Sequence, residues 1–103
     1  MILHAKKRLE LIIERPAYKR ACRVLQDAGV TGYTVVPALA GYGGGNRWQR
    51  GTDLSASRDM VVICSIMDQD IVEKCTEALS KLIGSHIGIL NFSDVTVMRP
   101  ENF

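Results

Sequence analysis

Hydrophobic and polar positions alternate along the first regular stretch of the chain. Leu9, Leu11 and Ile13 fall on one face of an extended backbone, and two glutamates and an isoleucine occupy the intervening positions. A period of two residues is typical of a strand with one face on a core. The pattern therefore predicts a first strand over residues 9–14.

The period becomes helical after Pro16, which the first turn of a helix tolerates because an N–H at that position would have no helical partner. Gly29 supplies a C-terminal stop. The apolar residues between them recur at helical spacing: Ala17, Ala21, Val24, Leu25 and Ala28. These features predict the first helix.

A second strand is predicted over Val30 to Ala40. Pro37 places it at a sheet edge or a bulge, since proline cannot donate to a ladder. From Gly41 to Arg58 no hydrophobic period is present around the single Trp48. A loop of this length usually carries function.

Met60 to Met67 is almost continuously apolar, which predicts a third strand buried on both faces. Asp70 and Glu73 have the spacing of a capping box at the start of a second helix, and Gly84 ends that helix. Its apolar stripe comprises Ile71, Val72, Cys75, Leu79, Leu82 and Ile83. A short connection over residues 85–90 then leads to a last strand over residues 95–98.

The order β-α-β-β-α-β predicts an α+β, ferredoxin-like fold. Right-handed crossovers place both helices on one face of a four-stranded antiparallel sheet. Ile12 and part of the third strand lie on the other face, where they would form an apolar patch too large for a monomer. We therefore expect a homo-oligomer.

The composition of the chain limits the possible classes of protein. The 103 residues, 47% of them hydrophobic, suit one globular domain. A net charge of +2 leaves no broad basic surface for nonspecific nucleic-acid binding. No apolar run approaches the ~20 residues of a membrane span, which favours a cytoplasmic protein. Cys22, Cys64 and Cys75 form no close pair, so we expect core thiols and no metal site.

The glycine cluster after the second strand is the strongest candidate for chemistry. It comprises Gly41, Gly43, Gly44 and Gly45, and Arg47, Arg50 and Arg58 follow it. Glycines let backbone amides approach a ligand closely, and guanidinium groups suit carboxylate or phosphate. The segment therefore predicts anion binding.

Two other functions of this fold fit poorly. An RNA-recognition module needs aromatic residues on its central strands, and the third strand has none. An acylphosphatase-like site needs a loop after the first strand, where Pro16 follows Arg15 at once. No common catalytic motif is present, and we assign no chemistry to His4 or His86.

Several segments resemble the PII signalling proteins. They are the Val30-Thr31-Gly32-Tyr33-Thr34-Val35 stretch, the Gly41-Tyr42-Gly43 motif, Arg50-Gly51 and Asp70-Ile71-Val72-Glu73. The resemblance spans nearly the whole chain. The stretch from Thr34 to Gly41 is most similar to the carboxysome-associated PII-like group, which is linked to inorganic-carbon uptake.

This resemblance implies a homotrimer that binds adenine nucleotides between subunits, at the base of a T-loop over about residues 41–58. Thr34 would meet the adenine, and Gly88 would belong to the phosphate-side B-loop. The nucleotide-binding residues implied are Thr34, Gly41, Tyr42, Gly43, Arg58, Gly88 and Arg99.

Departures from the PII pattern modify the expected ligand. PII proteins have Arg-Gln-Lys where this chain has Gly44-Gly45-Asn46, and residues 85–90 lack Gly-Asp-Gly-Lys. Leu54 occupies the position of the modified tyrosine. With cationic phosphate contacts and a metal-site glutamine missing, we expect ADP or AMP to be preferred over ATP, no 2-oxoglutarate site and no uridylylation.

Resemblance to the carboxysome-associated group further implies bicarbonate as a co-ligand. Its candidate contacts are Gly43, Gly44, Gly45, Arg47 and Arg58, and the sequence leaves open which arginine acts. Trp48 is a candidate for docking a partner such as a bicarbonate transporter or a carboxysome-linked enzyme.

The alternatives to this signalling function are a small nucleotide-hydrolysing enzyme and a structural trimer of the divalent-cation-tolerance type. The expected protein is a sensor, not an enzyme, without a cofactor.

Overall fold

The computed structural model describes residues 2–43 and 59–98, together with the backbone of residues 46–49. In chain order its elements are β1 (His4–Glu14), α1 (Arg15–Asp27), β2 (Thr34–Pro37), β3 (Ala40–Gly43), β4 (Asn46–Gln49), β5 (Met60–Met67), α2 (Gln69–Gly84) and β6 (Gly88–Val97).

Four of the strands form one antiparallel sheet in the order β2-β5-β1-β6. The predicted ferredoxin-like architecture is therefore confirmed. β2 lies at an edge of this sheet, as the sequence predicts from Pro37, whose missing N–H costs no bond on the unpaired side.

The core lies between one face of the sheet and both helices. Leu9, Leu11 and Ile13 of β1 are fully buried there, which confirms the alternating pattern of the first strand. The residues that complete this core are Ala17, Ala21, Cys22, Leu25, Val61, Ile63, Met67, Cys75 and Leu79. Both helices therefore cover the same face.

The first helix ends as the sequence predicts. Gly29 has φ of 94°, a conformation that side chains with a Cβ rarely adopt. Its N–H donates to the Gln26 carbonyl at 3.1 Å, and the N–H of Val30 donates to the Leu25 carbonyl at 3.1 Å. This pair of bonds is a Schellman motif, which turns the chain back towards the sheet.

The second strand is shorter than predicted. The structure divides the expected Val30–Ala40 strand into a turn, β2 and the start of a separate β3. β3 pairs with β4 in a two-stranded hairpin, where the sequence predicts only a loop. Its alternation is hard to detect because the strands are short and glycine contributes no side chain to the pattern.

The last strand is longer than predicted and begins at Gly88. Its polar residues conceal the pattern, because they pair with polar positions of β1. Asn91 lies opposite Glu10, and Asp94 lies opposite Lys7.

Two smaller predictions are also wrong. The sequence predicts that β5 is buried on both faces. Its buried residues instead alternate with partly exposed ones along most of the strand, so only one face lies in the core of the chain. The N-cap of α2 is Asp68, not Asp70, and its side chain forms no capping bond. The Asp68 carboxylate instead accepts a bond from Lys6 Nζ at 2.5 Å.

Among the described residues, no helix has the length and apolar character needed to cross a membrane.

Candidate functional site

The sheet face opposite the helices, here called the open face, carries one apolar and one polar row. The apolar row crosses all four strands through Val36, Val62, Ile12 and Ile89. Val36 is 45% exposed and Ile89 is 65% exposed. An apolar row across the whole sheet is the feature that predicts a covering subunit.

The polar row runs parallel to it through Thr34, Cys64, Glu10 and Asn91. Asn91 Nδ2 donates to Glu10 Oε1 at 3.2 Å. The Arg8 guanidinium donates to Glu10 Oε2 at 3.3 Å and to Cys64 Sγ at 3.1 Å. The open face therefore has a hydrogen-bonded polar patch beside its apolar row.

Thr34, the expected adenine contact, is exposed and begins the edge strand β2. The turn before it is fixed from the core, because the buried Ser65 hydroxyl donates to the Gly32 carbonyl at 2.6 Å. Gln26 Nε2 donates to the Tyr33 hydroxyl at 3.0 Å and attaches the same turn to α1. Thr34 is thus presented at the sheet edge by two flanking hydrogen bonds.

The hairpin continues from this edge strand. Gly41, Tyr42 and Gly43 lie in β3, and the Tyr42 side chain is 73% exposed. A Cβ on Gly43 would meet no atom within 4 Å, so packing inside the chain does not demand glycine there. Close approach of a ligand to the backbone remains a reason for glycine.

Gly88, the expected phosphate-side contact, begins β6 opposite Ile13. A Cβ at this position would lie 3.3 Å from the Ile12 carbonyl oxygen and 3.4 Å from Ile13 Cγ1. Glycine is therefore favoured here by the close approach of the β1 backbone.

The Glu14 carboxylate supports the segment before Gly88. Glu14 Oε1 lies 2.7 Å from His86 Nδ1 and accepts the Ile87 N–H at 3.3 Å. On the other side of the ring, His86 Nε2 lies 2.7 Å from the Arg20 guanidinium. Sequence reasoning missed this cluster, since its members are distant in the chain. The pairing of β1 with β6 brings Glu14 close to residues 86 and 87, and α1 contributes Arg20.

The next residue, Arg15, contacts the beginning of the segment that carries β5. Its N–H donates to the Asp59 carbonyl at 2.8 Å, and its guanidinium lies 3.5 Å from Asp59 Oδ2. Asp59 is the first described residue after 50–58 and is 8% exposed. Glu14 and Arg15 therefore hold two different loop ends.

Cys22 and Cys75 are buried thiols, as the sequence predicts, whereas Cys64 is only partly buried and contacts Arg8 on the open face. Burial raises the pKa of Cys22 and Cys75, and the neighbouring Cys22 raises the pKa of the Tyr33 hydroxyl. Within residues 2–43 and 59–98, no cluster of three or more His, Cys, Asp or Glu side chains is arranged to hold a metal ion.

Part of the predicted site lies outside the residues that the structure describes. Gly44, Gly45, Arg58 and Arg99 lie outside the described residues, as do Arg50, Gly51 and Leu54. The backbones of Arg47 and Trp48 belong to β4, opposite Tyr42 and Gly41. Their roles as anion contact and docking residue stay predictions.

Thr34 and Gly88 are not neighbours within one chain. Thr34 lies on edge strand β2 and Gly88 on edge strand β6, with β5 and β1 between them. Three strand spacings of about 4.8 Å separate the two edges by roughly 14 Å. A ligand that contacts both residues would either cross the open face or lie between neighbouring copies of the chain.

The chain matches the family model of the nitrogen regulatory protein P-II over residues 6–102. It therefore belongs to the P-II family. This assignment confirms the resemblance inferred from the sequence motifs.

Solved structures support the same assignment. One is CPII, a nitrogen regulatory PII-like protein from Thiomonas intermedia, bound to ADP, AMP and bicarbonate. It is 27% identical, with a TM-score of 0.88, and the match covers 99% of this chain and 96% of CPII. A putative PII-like signalling protein from Thermus thermophilus shares the fold at 21% identity and a TM-score of 0.81, over 100% of this chain and 99% of that one.

A relative without a functional name was also found. A UPF0166 protein from Aquifex aeolicus is 29% identical over 84 residues, which is 82% of this chain and 78% of the relative.

Proposed function

We propose that this protein is a signalling homotrimer that binds ADP or AMP between neighbouring subunits, with bicarbonate as a co-ligand. Its output is the conformation of the T-loop, which regulates a partner protein in inorganic-carbon metabolism. The observation that carries this proposal is the location of Thr34 and Gly88 on opposite edges of the sheet.

Opposite edges meet when identical chains form a closed ring. In a head-to-tail arrangement, the β2 edge of one copy faces the β6 edge of the next, and rotational symmetry closes the ring. The apolar row of the open face then turns towards the other subunits and away from water. A nucleotide at each boundary would contact Thr34 of one copy and Gly88 of its neighbour.

The ligand choice is supported by the relative and by the sequence. CPII binds ADP, AMP and bicarbonate, and its match covers nearly all of this chain. Residues 44–46 lack the cationic contacts of PII proteins, and a charge-assisted hydrogen bond contributes about 1.5–3 kcal/mol. Fewer such contacts favour nucleotides with fewer phosphates.

Bicarbonate would be held near the glycine cluster. Backbone amides of residues 43–45 suit a small anion, and Arg47 or Arg58 would add positive charge. Ligands change the T-loop only if they bind one of its conformations more tightly than the other. ADP and bicarbonate are therefore expected to act together on one ordered form, which a transporter or enzyme recognises through residues such as Trp48.

Binding and turnover measurements distinguish this proposal from its alternatives. The purified protein is titrated with AMP, ADP and ATP by calorimetry, and the same samples are analysed for nucleotide products. Saturable binding without turnover supports the sensor. Catalytic turnover supports a nucleotide-hydrolysing enzyme, and absence of binding supports a structural trimer.

A further inference from the structure

We propose that Glu14, acting through His86, is a positioning residue that fixes the backbone ahead of Gly88 for phosphate binding. The inference rests on the proposed function, because it assigns a role at the same nucleotide site. It concerns three side chains that no motif of the sequence connects: Glu14, Arg20 and His86.

The hydrogen-bond donors determine the direction of each bond. A guanidinium group can only donate, so His86 Nε2 accepts from Arg20 at 2.7 Å. The ring proton then lies on Nδ1 and is donated to Glu14 Oε1 at 2.7 Å. The same oxygen accepts the Ile87 N–H, and the Glu14 N–H donates to the Ile87 carbonyl at 3.2 Å. Glu14 thus provides a hydrogen-bond partner for both the N–H and the carbonyl of Ile87.

Packing within the chain does not hold this segment. Ile87 as a residue is 68% exposed, and Ile89 is 65% exposed. The side chains of Glu14 and His86, in contrast, are only 12% and 18% exposed. The polar network therefore constrains the backbone that leads to Gly88, together with the backbone bonds from Ser85 and His86 to the end of α2.

Glu14 does not use its carboxylate to cap a helix. It is the N-cap residue of α1, yet its side chain makes no capping bond. Asp, Asn, Ser and Thr are preferred at this position because their short side chains reach the free N–H groups of the first turn. The longer glutamate side chain reaches residues 86 and 87 instead.

The network also suits a neighbouring phosphate group. The charges of Arg20 and Glu14 cancel, and the imidazole is neutral when its Nε2 accepts a bond. Glu14 therefore holds the backbone without placing an uncompensated negative charge beside the site. Gly88 follows this segment directly. The Ile12 carbonyl lies close to it and limits how far the Gly88 backbone can move towards β1.

Glu14→Asp separates positioning from stability. The shorter carboxylate would cap α1 but would not reach both His86 and Ile87. The capping bond would offset part of the stability lost with the network, so we expect a Tm close to that of the wild type. ADP should bind about tenfold more weakly, the loss of one charge-assisted hydrogen bond between the displaced backbone and phosphate. A merely structural glutamate would not lower affinity while stability is retained.

Two histidine variants test the direction of the bonds. His86→Asn keeps an N–H donor near the Nδ1 position, so we expect ADP affinity within about twofold of the wild type. His86→Gln keeps a polar atom near Nε2 but loses the donor to Glu14, so we expect about tenfold weaker binding, as for Glu14→Asp. Lys81→Ala, on the solvent side of α2, is the control.

Amide hydrogen exchange at Ile87 provides a readout that needs no nucleotide. Protection should fall in Glu14→Asp and His86→Gln and persist in His86→Asn. If wild-type protein binds ADP and all variants bind equally, the inference is wrong and the proposed function stands. If wild-type protein binds no adenine nucleotide, the proposed function fails and the inference fails with it.

Discussion

The main-chain N–H of Arg15 donates to the Asp59 carbonyl at 2.8 Å, and the Arg15 guanidinium lies 3.5 Å from the carboxylate of the same residue. This double contact joins the first residue of α1 to the residue before β5. The preceding residue, Glu14, makes a comparable double contact with Ile87. Two consecutive residues therefore hold the start of β5 and the start of β6.

The first prediction concerns the ion pair at this junction. Arg15→Ala should lower the free energy of unfolding by about 1 kcal/mol, because the largely buried Asp59 carboxylate loses its guanidinium while the Arg15 side chain is itself 44% exposed. Urea denaturation provides the measurement. Lys81→Ala is the matched control, since the Lys81–Glu77 pair is exposed on both sides, and its change should stay within about 0.5 kcal/mol. Equal effects of the two variants would contradict this interpretation.

The second prediction concerns the turn before Thr34. Ser65→Ala removes the hydroxyl that donates to the Gly32 carbonyl, so stability should fall by about 0.5–1.5 kcal/mol. ADP binding should weaken as well, because Thr34 follows this turn. The exposed Ser80→Ala on α2 should alter neither quantity appreciably. A stable Ser65→Ala protein with wild-type ADP affinity would show that the turn needs no support from the core.

The third prediction concerns the glycine that begins β6. Gly88→Ala places a Cβ 3.3 Å from the Ile12 carbonyl oxygen, so the local backbone must give by a few tenths of an ångström and ADP affinity should decrease. Gly84→Ala is the control, because a Cβ there meets no atom within 4 Å and alanine favours the helix. Calorimetric titration of both variants measures the difference. Unchanged ADP affinity in Gly88→Ala would show that Gly88 does not belong to the nucleotide site.

The fourth prediction concerns thiol chemistry. Burial raises the pKa of Cys22 and Cys75, so a smaller fraction of each is thiolate at any given pH. Both should react with iodoacetamide more slowly in the native protein than in urea, and their rates should rise only above the pH range of an ordinary cysteine. Site-resolved mass spectrometry gives the rates. Rapid native labelling of Cys75 at neutral pH would contradict the described core.

Most of the fold could be predicted because its core residues follow simple periods. Leu9, Leu11 and Ile13 alternate on β1, and the residues from Ala17 to Ala28 keep helical spacing. The hairpin could not be predicted because its strands are short and rich in glycine. The early start of β6 could not be predicted because Asn91, Ser93 and Asp94 interrupt its apolar residues, and the pairing across strands decides its structure. Asn91 is accommodated in β6 because its side-chain amide donates to Glu10, which lies opposite it on β1.

The candidate site was only partly accessible from the sequence. Motif resemblance proposes Thr34 and Gly88 as nucleotide contacts, but it gives no indication that they lie on opposite edges of the sheet. His86 showed no local partner, since Glu14 and Arg20 come from the start of the chain. Such contacts depend on strand register, which spacing alone does not reveal.

Calorimetric titration of ADP with and without bicarbonate, and of bicarbonate with and without ADP, measures whether the two ligands bind cooperatively. We expect ADP to bind more tightly than ATP and bicarbonate to strengthen ADP binding. The factor must be the same in both orders of addition, because coupling between two ligands is reciprocal. Tightest binding of ATP with no response to bicarbonate, or no binding of any adenine nucleotide, would contradict the proposed function.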